Sequence, residues 1–376
     1  MAHTQITTGR IKKLDGLRGI FSCMVLLFHY PKEYIPEWLH GFFFIRESYT
    51  FVDFFFVLSG FVIAYNYHTI SNTSDLKKYL IKRWIRLYPL ILYSATFVLL
   101  YMLAYTHVKT LLVQGHPGLF STEDIVFPKD TYRSFLDTLF LTNSTPILGN
   151  SMGLPGPSWS ISAECIAYVL YGFLFLFLRG RTRVITSVCI ILLSLIRLYL
   201  HGEYFSTGEY GFLRGITTFS CGFLIWEASH IHLRLPNVFE YLIPVLITLC
   251  FFILHTFESS TTTFLVFGMF SIPLLFSAVI FTLLKSNGAI SAFLDTRPIQ
   301  YLGKISYSIY LDHWYVIAFG TPILISLFHA GTDPVKQLII FLFIIALCLV
   351  YAHFTYTYIE MKLGKWLKKK LLQTHA

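Results

Sequence analysis

Charge is what this chain has least of: Asp, Glu, Lys and Arg make up 13% of its 376 residues, against 55% hydrophobic ones. With a mean hydropathy of +0.62 and apolar runs of membrane-spanning length throughout, that scarcity excludes an ordinary soluble domain. Metal-ligand spacings are missing as well. There is no C-x-x-C, no H-E-x-x-H, no Cys/His quartet and no compact carboxylate run, so no bound metal is expected. The six cysteines, Cys23, Cys165, Cys189, Cys221, Cys250 and Cys348, all fall in apolar runs, where they read as small packing residues. No internal repeat, heptad or low-complexity tract is visible. The opening is polar and no small-residue cleavage site follows the first apolar run, so the first span is expected to stay in the mature protein. The net charge of +9 sits in short segments between apolar runs, where membrane topology needs it, and does not indicate a nucleic-acid partner.

A span of about 20 apolar residues is the gauge for what is present. It predicts an all-α, polytopic membrane protein of about ten helices, near 14–32, 49–68, 86–106, 158–178, 184–200, 210–229, 238–256, 263–284, 305–328 and 336–359. Most of the 29 Lys and Arg residues fall before the first span, in alternate connections and in the tail. The positive-inside rule therefore puts both termini in the cytoplasm. The chain is read as one membrane domain over 1–376, with a cytoplasmic N-terminus at 1–13, an outside connection at 107–157 and a basic cytoplasmic tail at 361–376. That connection carries His116-Pro117-Gly118, Pro128, Pro146 and Gly149, the punctuation of turns, and its segment 135–141 reads as a short interfacial or re-entrant helix. A partly ordered lid is the expectation.

Polar groups inside the spans are costly and therefore informative. Asp15, Arg18, Ser22 and His29 fall on one stripe of the first helix, with Arg18 and His29 about 16 Å apart along the axis. Arg18 is either an interfacial residue that snorkels to the cytoplasm or part of a buried site. His29, in the outer half of the membrane, is either a packing hydrogen bonder or a general base. Asp53 reads as a helix cap, and Ser59-Gly60 as a place where a neighbouring helix comes close. Arg83 and Arg86, three apart where the third span leaves the cytoplasm, suit phosphates, with Trp84 as a stacking surface, and suit lipid headgroups equally. Glu164 shares a face with Ser160, Tyr168 and Tyr171 and needs a partner, a proton or water, a histidine from another span being one choice. In the ninth span Ser306, Tyr310 and His313 fall on one stripe, and in the last His353, Tyr356 and Glu360 do the same.

In this order the motifs resemble the integral-membrane acyltransferase-3 family, from Leu14 to about Glu360. The landmarks are Arg18 and His29, the run Asp53 to Gly60, Arg83 and Arg86, the run Trp159 to Glu164, and Leu302-Gly303 through His313. The chain departs from the common pattern at Ile161, Ala163 and Cys165, the last standing where a second acidic residue often follows Glu164. The resemblance implies an acyl-CoA-dependent O-acyltransferase of the bacterial inner membrane. Acetyl-CoA is the usual co-substrate, and the acceptor is a surface carbohydrate such as lipopolysaccharide or exopolysaccharide. It implies that Arg18 and His29 are essential and that Arg83 and Arg86 help to hold the donor.

The expected site lies between the first, fourth and ninth helices. His29, oriented by Glu164, is the base. Arg18 guides the donor or stabilises charge on the thioester oxygen. Trp84, Arg83 and Arg86 bind the donor, with Asp15, Ser160, Tyr310 and His313 in support. Some relatives carry a further extracytoplasmic hydrolase-like domain, so here either the spans or a separate partner complete the reaction. The rival reading is a transporter or proton-coupled flippase that uses Arg18, His29, Glu164 and His313 as a pathway. Inverted repeats would favour it, and none is visible.

Overall fold

A computed structural model describes residues 11–35, 37–115, 131–147, 152–258, 261–331 and 333–372, and among them every regular element is helical. The ten principal helices are α1 (Lys12–Phe28), α2 (Phe51–Tyr67), α3 (Thr73–Gly115), α4 (Ser158–Phe177), α5 (Arg181–His201), α6 (Gly211–Ala228), α7 (Leu242–Phe257), α8 (Thr261–Lys285), α9 (Arg297–Leu327) and α10 (Pro334–Thr355). Each falls on a span expected from the sequence. Seven helical stretches are long and apolar enough to cross a membrane. The three principal helices outside that set, α1, α6 and α9, are those that carry Arg18, Arg214 and His313 into the bundle.

Two close crossings hold the polar helices in place. Along α1 and α9, a Cβ on Gly19 would meet the Gly303 backbone nitrogen at 2.5 Å, and a Cβ on Gly303 would meet the Asp15 carbonyl oxygen at 2.3 Å. Along α2 and α6, a Cβ on Gly60 would stand 1.9 Å from the Phe219 carbonyl oxygen, and one on Gly222 2.0 Å from that of Val57. Backbones touch at both crossings, as small residues permit between membrane helices. The second crossing is the close approach expected at Ser59-Gly60.

The third helix differs from expectation at both ends. Asn72 accepts from the Asp75 backbone amide at 2.9 Å, and the helix runs from Thr73 through the basic stretch to Gly115. Arg83 and Arg86 therefore lie about 15 to 20 Å along the helix, not at its mouth. A hydropathy gauge starts a span where apolar residues begin, whereas a helix continues through Lys77, Lys78 and Lys82, which stay exposed.

Residues 131–140 form a helix within the expected connection, and Tyr88 of α3 donates to the Leu139 carbonyl at 3.0 Å. The turn at His116-Pro117-Gly118, Pro128 and Gly149 lie outside the described residues. The last span continues through a π-helical turn, Tyr356–Leu363, into a basic helix, Gly364–Leu372. The first turns of α1, the α8–α9 connection and the first turn of α5 meet other elements at one end of the bundle: Lys13 donates to the Ser286 carbonyl at 2.6 Å, Lys12 pairs with Asp295 at 3.3 Å, and Arg183 donates to the His68 carbonyl at 2.9 Å.

Candidate active site

Inside the bundle a polar cavity of about 140 Å³ is lined by Arg18, Ser59, Arg83, Arg86, Ser160, Glu164, Tyr168, Ser306, Tyr307 and Tyr310, with apolar residues of α2 closing it. Three guanidinium groups face one cavity, and each is held differently. Arg18 donates to Ser306 Oγ and the Gly303 carbonyl, both at 2.9 Å, and pairs with Asp15 at 3.3 Å, so the α1–α9 crossing fixes its direction. Arg86 forms an ion pair with Glu360 of the π-helical turn and lies 5.0 Å from the Tyr307 ring; Glu360 also accepts from Ser308 at 2.6 Å. Arg83 donates to Tyr67 Oη at 3.1 Å and lies over the rings of Tyr67 and Tyr168, while its buried Nε has no partner among the described residues.

Trp84 is not part of this cavity. It is 42% exposed and stacks on Tyr88 at 4.9 Å, because adjacent positions on a helix point about 100° apart and the i, i+3 pair Arg83 and Arg86 takes the inward face. Glu164 reaches the cavity but not His29. Its Oε1 accepts from Ser59 and from Tyr168, so α2 and its own helix supply the partners that a histidine was expected to give.

A line of polar side chains leaves the cavity towards the other end of the bundle. Ser160 Oγ and Tyr310 Oη lie 2.7 Å apart, the Tyr310 ring is 6.2 Å from that of His313, and the His313 ring is 4.9 Å from that of His29. Each histidine places Nδ1 2.9 Å from a carbonyl one turn back, Val25 for His29 and Ile309 for His313. A carbonyl oxygen only accepts, so Nδ1 carries the proton and Nε2 the lone pair. His313 is fully buried, and its Nε2 has no partner among the described residues.

The roles of several buried groups escaped the sequence reading. Asp53 caps nothing: it forms a buried ion pair with Arg214 of α6, at 2.5 Å and 3.1 Å, and accepts from Tyr204 at 3.2 Å. The Arg214 guanidinium lies 5.3 Å from the Trp159 ring, which anchors the first turn of α4 beside Ser160. Asp312, next to His313, accepts from Ser94 at 3.0 Å, Tyr315 at 2.8 Å and Thr355 at 2.5 Å, and so ties α9 to α3 and α10. An acid within an apolar run was the available signal for Asp312; the Asp53 partner, 161 positions away, had none. At the far end of the bundle Glu47 joins the i, i+3 pair His255 and Glu258, a compact cluster whose third member no local spacing announces.

Comparison with known proteins gives the family. A family profile described as an acyltransferase domain matches residues 11–353. The peptidoglycan O-acetyltransferase of Listeria monocytogenes is 25% identical over 347 residues, which cover 85% of this chain and 51% of that protein. The chain thus spans about half the length of that relative. Protein 2 in the picA locus of Rhizobium radiobacter is 31% identical over 169 residues, 42% of this chain and 78% of that protein. No solved structure matches the chain. A profile match over most of the length, on a helical membrane bundle with this polar interior, establishes that the chain belongs to the acyltransferase-3 family.

Proposed function

We propose that this protein transfers an acyl group, acetyl from acetyl-CoA in the simplest case, to a hydroxyl of a cell-surface glycan, and that it does so in the inner membrane of a bacterium. The observation that supports the reading is one cavity that gathers Arg18, Arg83 and Arg86 with Ser160 and Tyr310, beyond which the rings of Tyr310, His313 and His29 follow one another at 6.2 and 4.9 Å. With the Lys-rich end in the cytoplasm, the arginines receive the donor and His29 faces the acceptor side. The phosphate groups of the donor interact with Arg83 and Arg86, with Arg18 beside them. A pantetheine arm, on the order of 15 Å when its dozen chain bonds are counted at standard lengths, then spans the about 16 Å between Arg18 and His29.

His29 Nε2 takes the proton of the acceptor hydroxyl as its oxygen attacks the thioester carbonyl. The carbon–sulfur bond breaks, the ester forms, and the proton passes to the leaving thiolate as CoA-SH departs. Arg18 guides the anionic part of the donor; it sits too far from His29 to touch the reacting carbonyl. Glu164 orders Ser59 and Tyr168 beneath Arg83 and is a positioning residue. The acceptor in the Listeria relative's name, peptidoglycan, and a lipopolysaccharide or exopolysaccharide chain all present such hydroxyls.

The test compares surface glycans, by mass spectrometry and NMR, from cells with and without the gene. Loss of one acetyl ester per repeating unit supports the reading. Identical glycans overturn it and leave a transporter as the alternative.

A further inference from the structure

His353 and Glu360, seven positions apart at the end of the last span, would share one face of an ordinary α-helix. They do not share one here. His353 is exposed and its Nδ1 lies 2.6 Å from Tyr301 Oη, whereas the Glu360 side chain is 4% exposed. The π-helical turn Tyr356–Leu363 separates them, because its i→i+5 bonds put more residues into each turn and swing Glu360 round towards α3 and α9. Such turns are rare and recur at functional sites.

Glu360 meets the donor cavity from behind. One of its oxygens pairs with Arg86 Nη1 and the other accepts from Ser308 at 2.6 Å. The two partners differ in access: the Arg86 side chain is 35% exposed and lines the cavity, while Glu360 is closed off and does not line it. The lining carries the guanidinium groups of Arg18, Arg83 and Arg86 against one carboxylate, Glu164. A cleft lined by one sign of charge concentrates ions of the other.

We propose that Glu360 is the counter-charge that sets how tightly this cavity holds the phosphates of the donor and of spent CoA. The inference rests on the acyl-transfer reading, in which those phosphates reach Arg86. Acetyl-CoA and CoA-SH carry the same phosphates, so an arginine–phosphate contact stabilises substrate and product alike and adds nothing to the chemical step. Past that point, tighter binding only delays product release. Glu360 takes up Nη1 and offsets part of the Arg86 charge, which leaves the remaining N–H groups of the guanidinium for a phosphate. The Ser308 hydrogen bond keeps the carboxylate in that place. Glu360 touches no substrate and acts through Arg86.

The test is equilibrium binding to the full chain purified in detergent, with acetyl-CoA, CoA-SH and S-acetylpantetheine as probes; the last keeps the thioester arm and has no phosphate. Glu360→Gln keeps the shape and an acceptor for Arg86 but removes the charge. It is expected to lower the Kd of acetyl-CoA and of CoA-SH by the same factor, about fivefold or more, and to leave that of S-acetylpantetheine, measured by competition, within about twofold. Damage to the fold would instead weaken all three. Glu360→Met, of similar length, carries the test if Glu360→Gln does not fold. Acetyl-CoA affinity that is unchanged or weaker in a folded variant overturns the proposal, as does an equal change for all three probes. Wild-type protein that binds no acetyl-CoA overturns the donor reading on which the proposal rests.

Discussion

Replacing Asp53 by Asn should be among the most damaging single changes in the bundle. The carboxylate is 0% exposed and receives Arg214 Nη2 at 2.5 Å, Arg214 Nε at 3.1 Å and Tyr204 Oη at 3.2 Å, while the Arg214 side chain is 1% exposed. Removing one partner of such a pair leaves an uncompensated buried charge, at a cost of about 3–5 kcal/mol. Taking about 2–4 °C of melting temperature per kcal/mol as an upper guide for a chain of this size, Tm falls by at most about 6–20 °C. The assay is thermal unfolding of the detergent-purified protein, followed by tryptophan fluorescence. The double change Asp53→Leu with Arg214→Leu removes both charges, and apolar replacement of a buried pair is often neutral. It should therefore recover at least half of the lost stability. An Asp53→Asn variant as stable as wild type, or a double variant as unstable as the sum of the single changes, would refute the reasoning.

The remaining predictions bear on packing and on the donor. Gly60→Ala and Gly222→Ala each place a methyl group 2.0 Å or less from a carbonyl oxygen of the facing helix. Each should destabilise by about 1–3 kcal/mol through overpacking, seen as a lower Tm or lower membrane yield. Arg83→Ala should weaken acetyl-CoA binding by roughly 10- to 100-fold, the loss of a charge-assisted hydrogen bond of about 1.5–3 kcal/mol, measured by equilibrium binding of labelled donor. Trp84→Ala, which changes a residue outside the cavity, should leave donor affinity unchanged in the same measurement. His313→Ala should lower turnover at least tenfold without weakening donor binding, whereas a purely packing role predicts a lower Tm and wild-type turnover in the folded fraction.

Much of the bundle was legible because each span is an apolar run bounded by basic or turn residues, and a single local rule reads both. The start of α3 was not, because its first turns are basic and helical at once, and hydropathy sees only the first property. The same error left out the turns of helix that precede Arg83 and Arg86, since α3 begins at Thr73. Helical spacing alone was enough to separate Trp84 from its arginine neighbours, since positions one and two steps apart do not share a face. Pairings across spans are another matter. Asp53 with Arg214, Glu164 with Ser59, and Glu47 with His255 are decided by how helices cross, and that depends on close contacts such as those of Gly60 and Gly222. Residue type marked Glu164 and His29 as groups needing a partner; only the packed bundle says that Glu164 faces Ser59 and Tyr168 and that His29 faces His313.

The most direct test of the account is acceptor-dependent release of CoA thiol by purified wild-type and His29→Ala protein, supplied with acetyl-CoA and ester-free surface glycan. Loss of a general base lowers turnover by about 10²–10⁴-fold, and the account predicts a fall of that size with acetyl-CoA affinity and Tm unchanged. Wild-type turnover in His29→Ala would contradict it.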